Sequence, residues 1–298
     1  MKKTFLIAAI LWLVLLAGCI QNSDTSKSHT NSTKMESPVT DFNYEENEEG
    51  GITIVNYSGP DQDVVIPAVI EGKPVTQIGY PGFYRNQEVV SVTIPDSVTV
   101  IQDNTFESCI ALSSVSMPAN LRLIGKQAFM GCSYLTSIRI PKGVTEISDE
   151  AFSYAGIKTV EFEEGVKKIG ATAFSYTNLK TVVLPKSMTE ISQGAFYSCK
   201  YLKAITINNG LTTIGRGAFV SDVRLKEIVI PASVTELSES AFYNCIGLQA
   251  VRFEGDAPEN YQAEDPSYLS SPSYTVYYHK KAKGFTSPQW CGYPTVIW

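Results

Sequence analysis

Apolar residues recur along this chain with a period of 22 or 23 residues. Phenylalanine marks the period most clearly, and an Ile or Leu precedes each marking phenylalanine by five residues. The eight marking phenylalanines are Phe83, Phe106, Phe129, Phe152, Phe174, Phe196, Phe219 and Phe242. A fixed period of this length is the signature of a repeat protein, in which each unit buries its apolar side chains only against its neighbours.

After each phenylalanine the units continue with the pattern L-x-x-V-x-I-P, as in residues 135–141. Alternating apolar and polar positions indicate a β-strand, and proline ends it because proline cannot donate to the next strand. We therefore predict a repeat solenoid with one short parallel strand per 22–23-residue unit. The eight strands should form one sheet, with a continuous row of phenylalanines behind it.

The first nineteen residues have the pattern of a targeting segment. Lys2 and Lys3 precede an uncharged apolar run over residues 5–17, which is too short to cross a bilayer. The run ends in the letters LAGC, with Cys19 last, which resembles the lipobox of bacterial lipoproteins. We predict lipidation of Cys19 and a location on the extracellular face of a bacterial membrane. An ordinary secretory signal with a chance cysteine, or an uncleaved anchor, is the alternative.

The flanks of the repeats have different patterns. The segment after Cys19 is rich in Ser, Thr, Asn and Lys and has no apolar period, so it predicts a flexible tether. The segments ITIVNY and VVIP, separated by a polar turn, predict a hairpin that caps the first unit. The aromatic-rich tail predicts a cap for the last one. The expected domains are a signal peptide at 1–18, a tether at 19–41, an N-terminal cap at 42–66, about eight repeats at 67–253 and a C-terminal cap at 254–298.

The repeat spacing A-F-x-x-C-x-x-L-x-x-V-x-I-P-x-x-V-x-x-I resembles the BspA-like, Treponema-type leucine-rich repeats of bacterial surface proteins. The resemblance covers about residues 64–253, and both flanks are similar to that family's end units. It implies a leucine-rich repeat solenoid that acts as an adhesin or a protein-binding surface antigen. The chain departs from the family pattern at Ala155, Thr177 and Asp222, where the family often has cysteine.

Charge and residue inventory exclude several functions. With 24 basic and 30 acidic residues the net charge is −6, which provides no basic surface for nucleic acid. The repeats contain no histidine and no CxxC pair, so we expect no catalytic residue, no metal site and no cofactor. The acidic run from Glu45 to Glu49 is interpreted as a solvated hairpin tip, with weak cation binding as the alternative.

Four cysteines occupy one repeat position, three residues after the phenylalanine. They are Cys109, Cys132, Cys199 and Cys245. We expect them to point inward together as small apolar residues. Only Cys109 and Cys132, on adjacent units, are close enough in the predicted stack for a disulfide.

Two rows of side chains are candidates for binding. The strand column is the set of residues between the two inward positions of each strand, and we expect it on the open, concave face. Its members are Thr93, Ser116, Arg139, Glu161, Val183, Thr206, Val229 and Arg252. The lysine row follows the leucine position in four consecutive units and consists of Lys158, Lys180, Lys203 and Lys226.

Both rows have simpler interpretations. Arg139 and Glu161 are expected to pair with each other at little gain in stability. The lysine row is either a docking strip for an acidic partner or anionic glycan, or a solubilising rim.

We therefore predict a monomeric surface protein that binds or adheres to an extracellular protein through these two rows. Glycan binding through Trp290 or Trp298 is the alternative function. A passive spacer in the cell envelope, without a ligand, is the third possibility.

Overall fold

The computed structural model describes residues 35–238, 240–259, 261 and 274–298. The predicted signal peptide, Cys19 and the tether as far as residue 34 lie outside the described residues. The elements below belong to the unit Met35–Trp298.

The N-terminal flank begins with a short 3₁₀ helix at Val39–Asp41, followed by five strands. They are β1 Phe42–Glu46, β2 Ile52–Tyr57, β3 Asp63–Val65, β4 Val69–Ile70 and β5 Lys73–Gly82.

A hairpin forms in this flank, but one of its two strands was predicted wrongly. ITIVNY forms β2 and pairs antiparallel with β1, whereas the two valines of VVIP lie in β3, which pairs in parallel with the first repeat strand. The apolar ring of Phe42 explains the choice, because it is buried 5.1 Å from the ring of Tyr57. The acidic run from Glu45 to Glu49 lies at the hairpin tip and is largely exposed, as predicted.

Each repeat contributes a front strand, predicted from the alternating pattern, and a second strand of only two residues at its back. In chain order they are β6 Ser91–Thr93, β7 Val100–Ile101, β8 Ser114–Ser116, β9 Leu123–Ile124, β10 Ser137–Ile140, β11 Glu146–Ile147, β12 Thr159–Phe162, β13 Lys168–Ile169, β14 Thr181–Val183, β15 Glu190–Ile191, β16 Ala204–Thr206, β17 Thr213–Ile214, β18 Glu227–Ile230, β19 Glu236–Leu237 and β20 Ala250–Phe253. The repeat solenoid with parallel strands is confirmed.

The back strands, and not the front strands, form the continuous sheet. β5, β7, β9, β11, β13, β15, β17 and β19 pair in parallel without interruption, and the hairpin strands β1 and β2 extend this sheet at its start. The front strands divide into four ladders, β3-β6-β8, β10-β12, β14-β16 and one that begins with β18-β20. The expected single front sheet is therefore interrupted three times.

A row of stacked phenylalanine rings fills the interior, as the period predicts. Neighbouring rings from Phe83 to Phe242 lie 4.9 to 5.8 Å apart between centroids and 1 to 15° from parallel. Tyr57 continues the stack at the N-terminal end, 5.3 Å from Phe83. Because both faces of each ring inside the stack are covered by the rings of the neighbouring units, one unit alone cannot bury its phenylalanine.

A tight turn follows each phenylalanine and brings the chain from the back to the front. The second residue after the phenylalanine, which we call the turn position, has a positive φ in every unit. Its occupants are Arg85, Ser108, Gly131, Tyr154, Tyr176, Ser198, Ser221 and Asn244. The left-handed region favours Gly and Asn and is unfavourable for bulky side chains.

Three further strands complete the C-terminal end: β21 Thr275–Tyr278, β22 Gln289–Trp290 and β23 Tyr293–Ile297. β21 pairs in parallel with β20 and β23 with β21, so the front ladder continues past the last repeat. The buried rings of Tyr274, Tyr278, Trp290 and Tyr293 cover this end. The aromatic-rich cap is confirmed.

Candidate functional site

The members of the strand column lie on the front strands, and within each ladder they are register partners. Arg139 is the register partner of Glu161, Val183 of Thr206 and Val229 of Arg252. Alternation along each strand directs these side chains away from the phenylalanine stack. The column also extends beyond its predicted ends, since Val65 pairs with Thr93 at one end and Arg252 with Tyr277 at the other.

Two valines give the column an exposed apolar section. Val183 is 64% exposed and Val229 is 36% exposed, with Thr206 on the strand between them. A fully buried valine stabilises the fold with its whole side chain, whereas these two leave part of their apolar surface in water. They are available to contact a partner.

The charges of the column pair differently from the expectation. Arg139 donates to Glu163 at 2.7 Å and not to its register partner Glu161, so that prediction was wrong. At the C-terminal end the Nε atom of Arg252 donates to Glu227 at 2.6 Å, and its guanidinium lies 4.1 Å from the ring centroid of Tyr277.

An open cleft of about 390 Å³ lies along β8, β10 and β12, where the front ladder is interrupted between β8 and β10. Its lining consists of Ser114, Ser137 and Thr159, the apolar residues Val115, Ile138 and Val160, and the charged pair Arg139 and Glu161. The cleft therefore belongs to the strand column and offers hydroxyl groups above an apolar floor.

The lysine row lies on successive rungs beside the column. The backbone N–H of Lys180 donates to the carbonyl of Lys158 at 3.3 Å, and that of Lys203 to the carbonyl of Lys180 at 2.9 Å. All four side chains, including Lys226, are exposed. Over the residues that the structure describes, none of the four forms an ion pair within 4.0 Å.

The four repeat cysteines point inward and are buried, as predicted. Each Sγ atom donates to the carbonyl of the phenylalanine in the preceding unit. Cys109 bonds Phe83 at 2.9 Å, and the other three cysteines bond Phe106, Phe174 and Phe219 in the same way. Burial raises the pKa of Cys109 to about 12 and holds that of Cys132 well above its ordinary value. Both are free thiols, so the disulfide considered between them is not formed. A protonated, buried thiol is unreactive.

The alternative glycan platform at the C-terminal end is partly unavailable. Trp290 is only 7% exposed and packs against Phe253, Tyr261 and Phe285. Trp298 is half-exposed and stacks on His279 with 4.5 Å between ring centroids. Sugar stacking on Trp290 is therefore excluded by packing.

The sequence analysis missed a group of exposed tyrosines. We call Tyr134, Tyr154, Tyr176 and Tyr201 the tyrosine edge, because all four lie in the connection between the phenylalanine and the following Leu or Ile of their unit. Their exposed fractions range from 40 to 66%. The sequence contains a sign of this group, because these tyrosines are large aromatic residues at repeat positions outside the apolar pattern.

In the described ranges, no three His, Cys, Asp or Glu side chains are arranged to hold a metal ion. The part of the chain with described coordinates also has no helix of the length and apolarity needed to span a membrane.

Comparison with known proteins assigns the fold to a family. The model of the BspA type leucine rich repeat region, found in six copies, matches residues 64–177 and 124–249, which together exceed half of the chain. The chain belongs to the BspA-type leucine-rich repeat family. The resemblance noted from the repeat spacing is thereby confirmed. Proteins of this family are generally involved in protein binding or adhesion and are typically non-enzymatic.

Solved structures show the same fold. The leucine-rich repeat protein of Treponema pallidum is 28% identical, with a TM-score of 0.54 over 72% of this chain and 91% of that chain. A leucine-rich repeat protein from Bacteroides ovatus is 25% identical, with a TM-score of 0.57 over 82% of this chain and 71% of that chain. No curated protein sequence matches the chain.

Proposed function

We propose that this BspA-type protein is anchored by lipid at Cys19 to the extracellular face of a bacterial membrane. There it binds an extracellular protein and catalyses no reaction. The strand column carries this proposal, since it presents side chains in register on successive front strands. The family's general involvement in protein binding or adhesion supports it.

The composition of the column supports a protein partner. Val183, Thr206 and Val229 form an apolar-centred section, with Glu161 before it and Arg252 after it. Protein interfaces commonly have an apolar centre within a polar, charged rim. Covering the two valines would remove apolar surface from water, which is the main favourable term in association.

The lysine row supplies long-range attraction to an acidic partner. Its charges lie on the rim of the column and are exposed, so they increase the association rate more than they increase the final affinity. Glycan binding at the C-terminal aromatics has less support, because Trp290 is buried.

The test is adhesion of a non-adherent bacterium that displays the full chain to a panel of purified extracellular matrix proteins. We expect the double substitution Val183→Asp and Val229→Asp to reduce adhesion about tenfold or more, because two charges then enter the apolar centre of the interface. Cys19→Ala should release the chain from the cell and abolish adhesion.

The matched control is Val69→Asp with Ile246→Asp, which places the same charges at apolar positions that are 54% and 70% exposed and lie outside the column. Adhesion should be unchanged in this variant. Equal adhesion of the column and control variants would refute the column as the binding site. Failure of the unsubstituted chain to adhere to any protein would support the passive spacer.

A further inference from the structure

The lysine row repeats an exposed cation at one position of four consecutive units, and within the described residues none of the four has a counter-charge within 4.0 Å. On the back sheet of the same units, Lys168 lies between Glu146 and Glu190, 3.6 Å from each carboxylate, and both carboxylates raise its pKa. The lysine row repeats a cation on four consecutive rungs roughly 4.8 Å apart, with no such pairing within the described residues. Like charges at this spacing repel one another, so the row costs stability in a chain of net charge −6.

The tyrosine edge runs beside the lysine row. In each of these units the connection that carries the tyrosine ends at the inward Leu or Ile, and the residue at the lysine position follows directly. Tyr201, for example, lies two residues before Lys203. The guanidinium of Arg224, in the next unit, lies 5.0 Å from the ring centroid of Tyr201 and adds another cation. Exposed aromatic rings and cations therefore share one edge of the solenoid.

Tyr154 and Tyr176 are unusual for the backbone that carries them. Both occupy the turn position with a φ of +59°, a conformation that is unfavourable for a bulky residue. Neither ring is buried, since their exposed fractions are 53 and 40%. The core therefore gives no compensation for the strained backbone. Serine occupies the same position at 198 and 221, which shows that the turn does not require an aromatic residue.

The two rings are stacked on each other, 4.3 Å apart and 8° from parallel. The edges of the two rings are electropositive and suit an anionic ligand. The hydroxyl of Tyr176 is hydrogen-bonded to that of Tyr197, whose ring centroid lies 5.3 Å from the Tyr176 ring, so Tyr154 carries the hydroxyl that is open to a ligand. The preceding turn position is Gly131, which has no side chain to cover the other face of Tyr154. That face is a platform on which the C–H groups of a sugar ring can pack.

We propose that the lysine row and the tyrosine edge together bind a linear anionic polysaccharide, with carboxylate or sulfate groups on the lysines and a sugar ring on Tyr154. A regular row of cations and hydroxyl groups fits a polymer that repeats one anionic group per monomer. This inference rests on the proposed surface function and names the ligand class of the lysine row. The strand column remains the contact site for protein, and the lysine row contributes only long-range attraction to that partner.

The test uses the full chain in detergent and measures binding to immobilised polysaccharides. Heparin and polygalacturonate supply sulfate and carboxylate groups, dextran is the neutral polysaccharide, and polyglutamate is the acidic peptide. We expect heparin or polygalacturonate to bind, dextran not to bind, and polyglutamate to bind about tenfold more weakly than the better polysaccharide. Binding should weaken as salt is added.

Two double substitutions separate the contributions of charge and ring. Lys180→Gln with Lys203→Gln should lower polysaccharide affinity about tenfold. Tyr154→Ser with Tyr176→Ser should lower it several-fold, while keeping a residue that the turn position already accepts in two units. The control, Lys167→Gln with Lys186→Gln, removes the same charge from exposed positions outside the row and should stay within about twofold of the unsubstituted chain.

Three outcomes would overturn the inference: no binding of either anionic polysaccharide, equal binding of polyglutamate, or full binding after loss of both tyrosines. Equal binding of polyglutamate would point to an acidic protein. The column variant Val183→Asp with Val229→Asp is measured for both protein adhesion and polysaccharide binding, so that the two proposals are tested independently. If it loses adhesion while no polysaccharide binds, the proposed function stands and the inference fails. If it keeps full adhesion while polysaccharide binds, the column is not the protein site and the inference stands.

Discussion

Asp222 occupies the inward repeat position at which four other units carry cysteine. Its side chain is completely buried, and neither carboxylate oxygen makes a hydrogen bond of standard geometry, so the backbone N–H of Cys199 is only a weak donor to it. Burial holds the pKa of this carboxyl well above its ordinary value. The same burial, with the neighbouring Asp222 as a second cause, raises the pKa of Cys199. An unpaired charge in this environment would be strongly destabilising.

The raised pKa means that the folded chain prefers the protonated carboxyl. The contribution of Asp222 to stability is therefore fully present below its unfolded pKa, near 3.8, and is lost as the pH rises toward the folded pKa. We predict that Asp222→Cys, in reducing buffer, increases the free energy of unfolding at pH 7 by about 2 kcal/mol. At pH 4 the increase should be much smaller.

Urea unfolding at the two pH values measures this difference. Substitution of the exposed Asp61 by Ala is the control and should change stability by less than about 0.5 kcal/mol at either pH. An Asp222 variant that is less stable than the unsubstituted chain at pH 7 would show that the buried carboxyl has a stabilising partner.

Side-chain pairing was the least predictable feature at this scale. The strand register correctly placed Arg139 beside Glu161, but Arg139 pairs with Glu163. A long side chain reaches diagonal neighbours as well as the residue directly opposite. The repeat pattern specifies which face a residue lies on, and the rotamer then decides its partner.

Among the elements, the phenylalanine stack joins each unit to the next. Phe174 lies in its middle, with ring centroids 5.2 Å from Phe152 and 5.8 Å from Phe196, and Phe162 meets its edge at 5.9 Å. We predict that Phe174→Ala lowers the free energy of unfolding by about 3 to 5 kcal/mol, because it removes a buried ring and leaves a cavity.

Since each unit is stabilised only by its neighbours, this variant should also uncouple the two halves of the solenoid. Urea unfolding followed by circular dichroism should then show a broader transition with a smaller m-value. Tyr176→Ser, two residues away but exposed, is the control and should leave the transition as steep as before. A loss below about 1 kcal/mol for Phe174→Ala would contradict the stack as the main connection.

The strand elements were predictable where the pattern was long enough. The front strands follow the L-x-x-V-x-I-P pattern, whereas each back strand from β7 to β19 is only two residues long and has no alternation to detect. The hairpin partner was mistaken because FNYEE in β1 has one strongly apolar residue, Phe42, and otherwise resembles a polar loop. Its pairing depends on burial of that ring against Tyr57.

For the molecule as a whole, the sequence predicted the solenoid, the strand column and the lysine row. It did not reveal the tyrosine edge, because its members occupy two different repeat positions, one in Tyr154 and Tyr176 and another in Tyr134 and Tyr201. A periodicity search aligns equal positions and therefore separates them. Only the folded connections bring these residues to one edge.

The unbroken back sheet and the ring stack also determine how the protein responds to mechanical force. If a solenoid of this kind is pulled from its two ends, contacts that join each unit only to its neighbours give way one unit at a time. Single-molecule stretching should therefore give a series of evenly spaced force peaks, each releasing about 75 Å of chain for 22 or 23 residues. A single rupture that releases the whole body at once would show that the solenoid yields as one block.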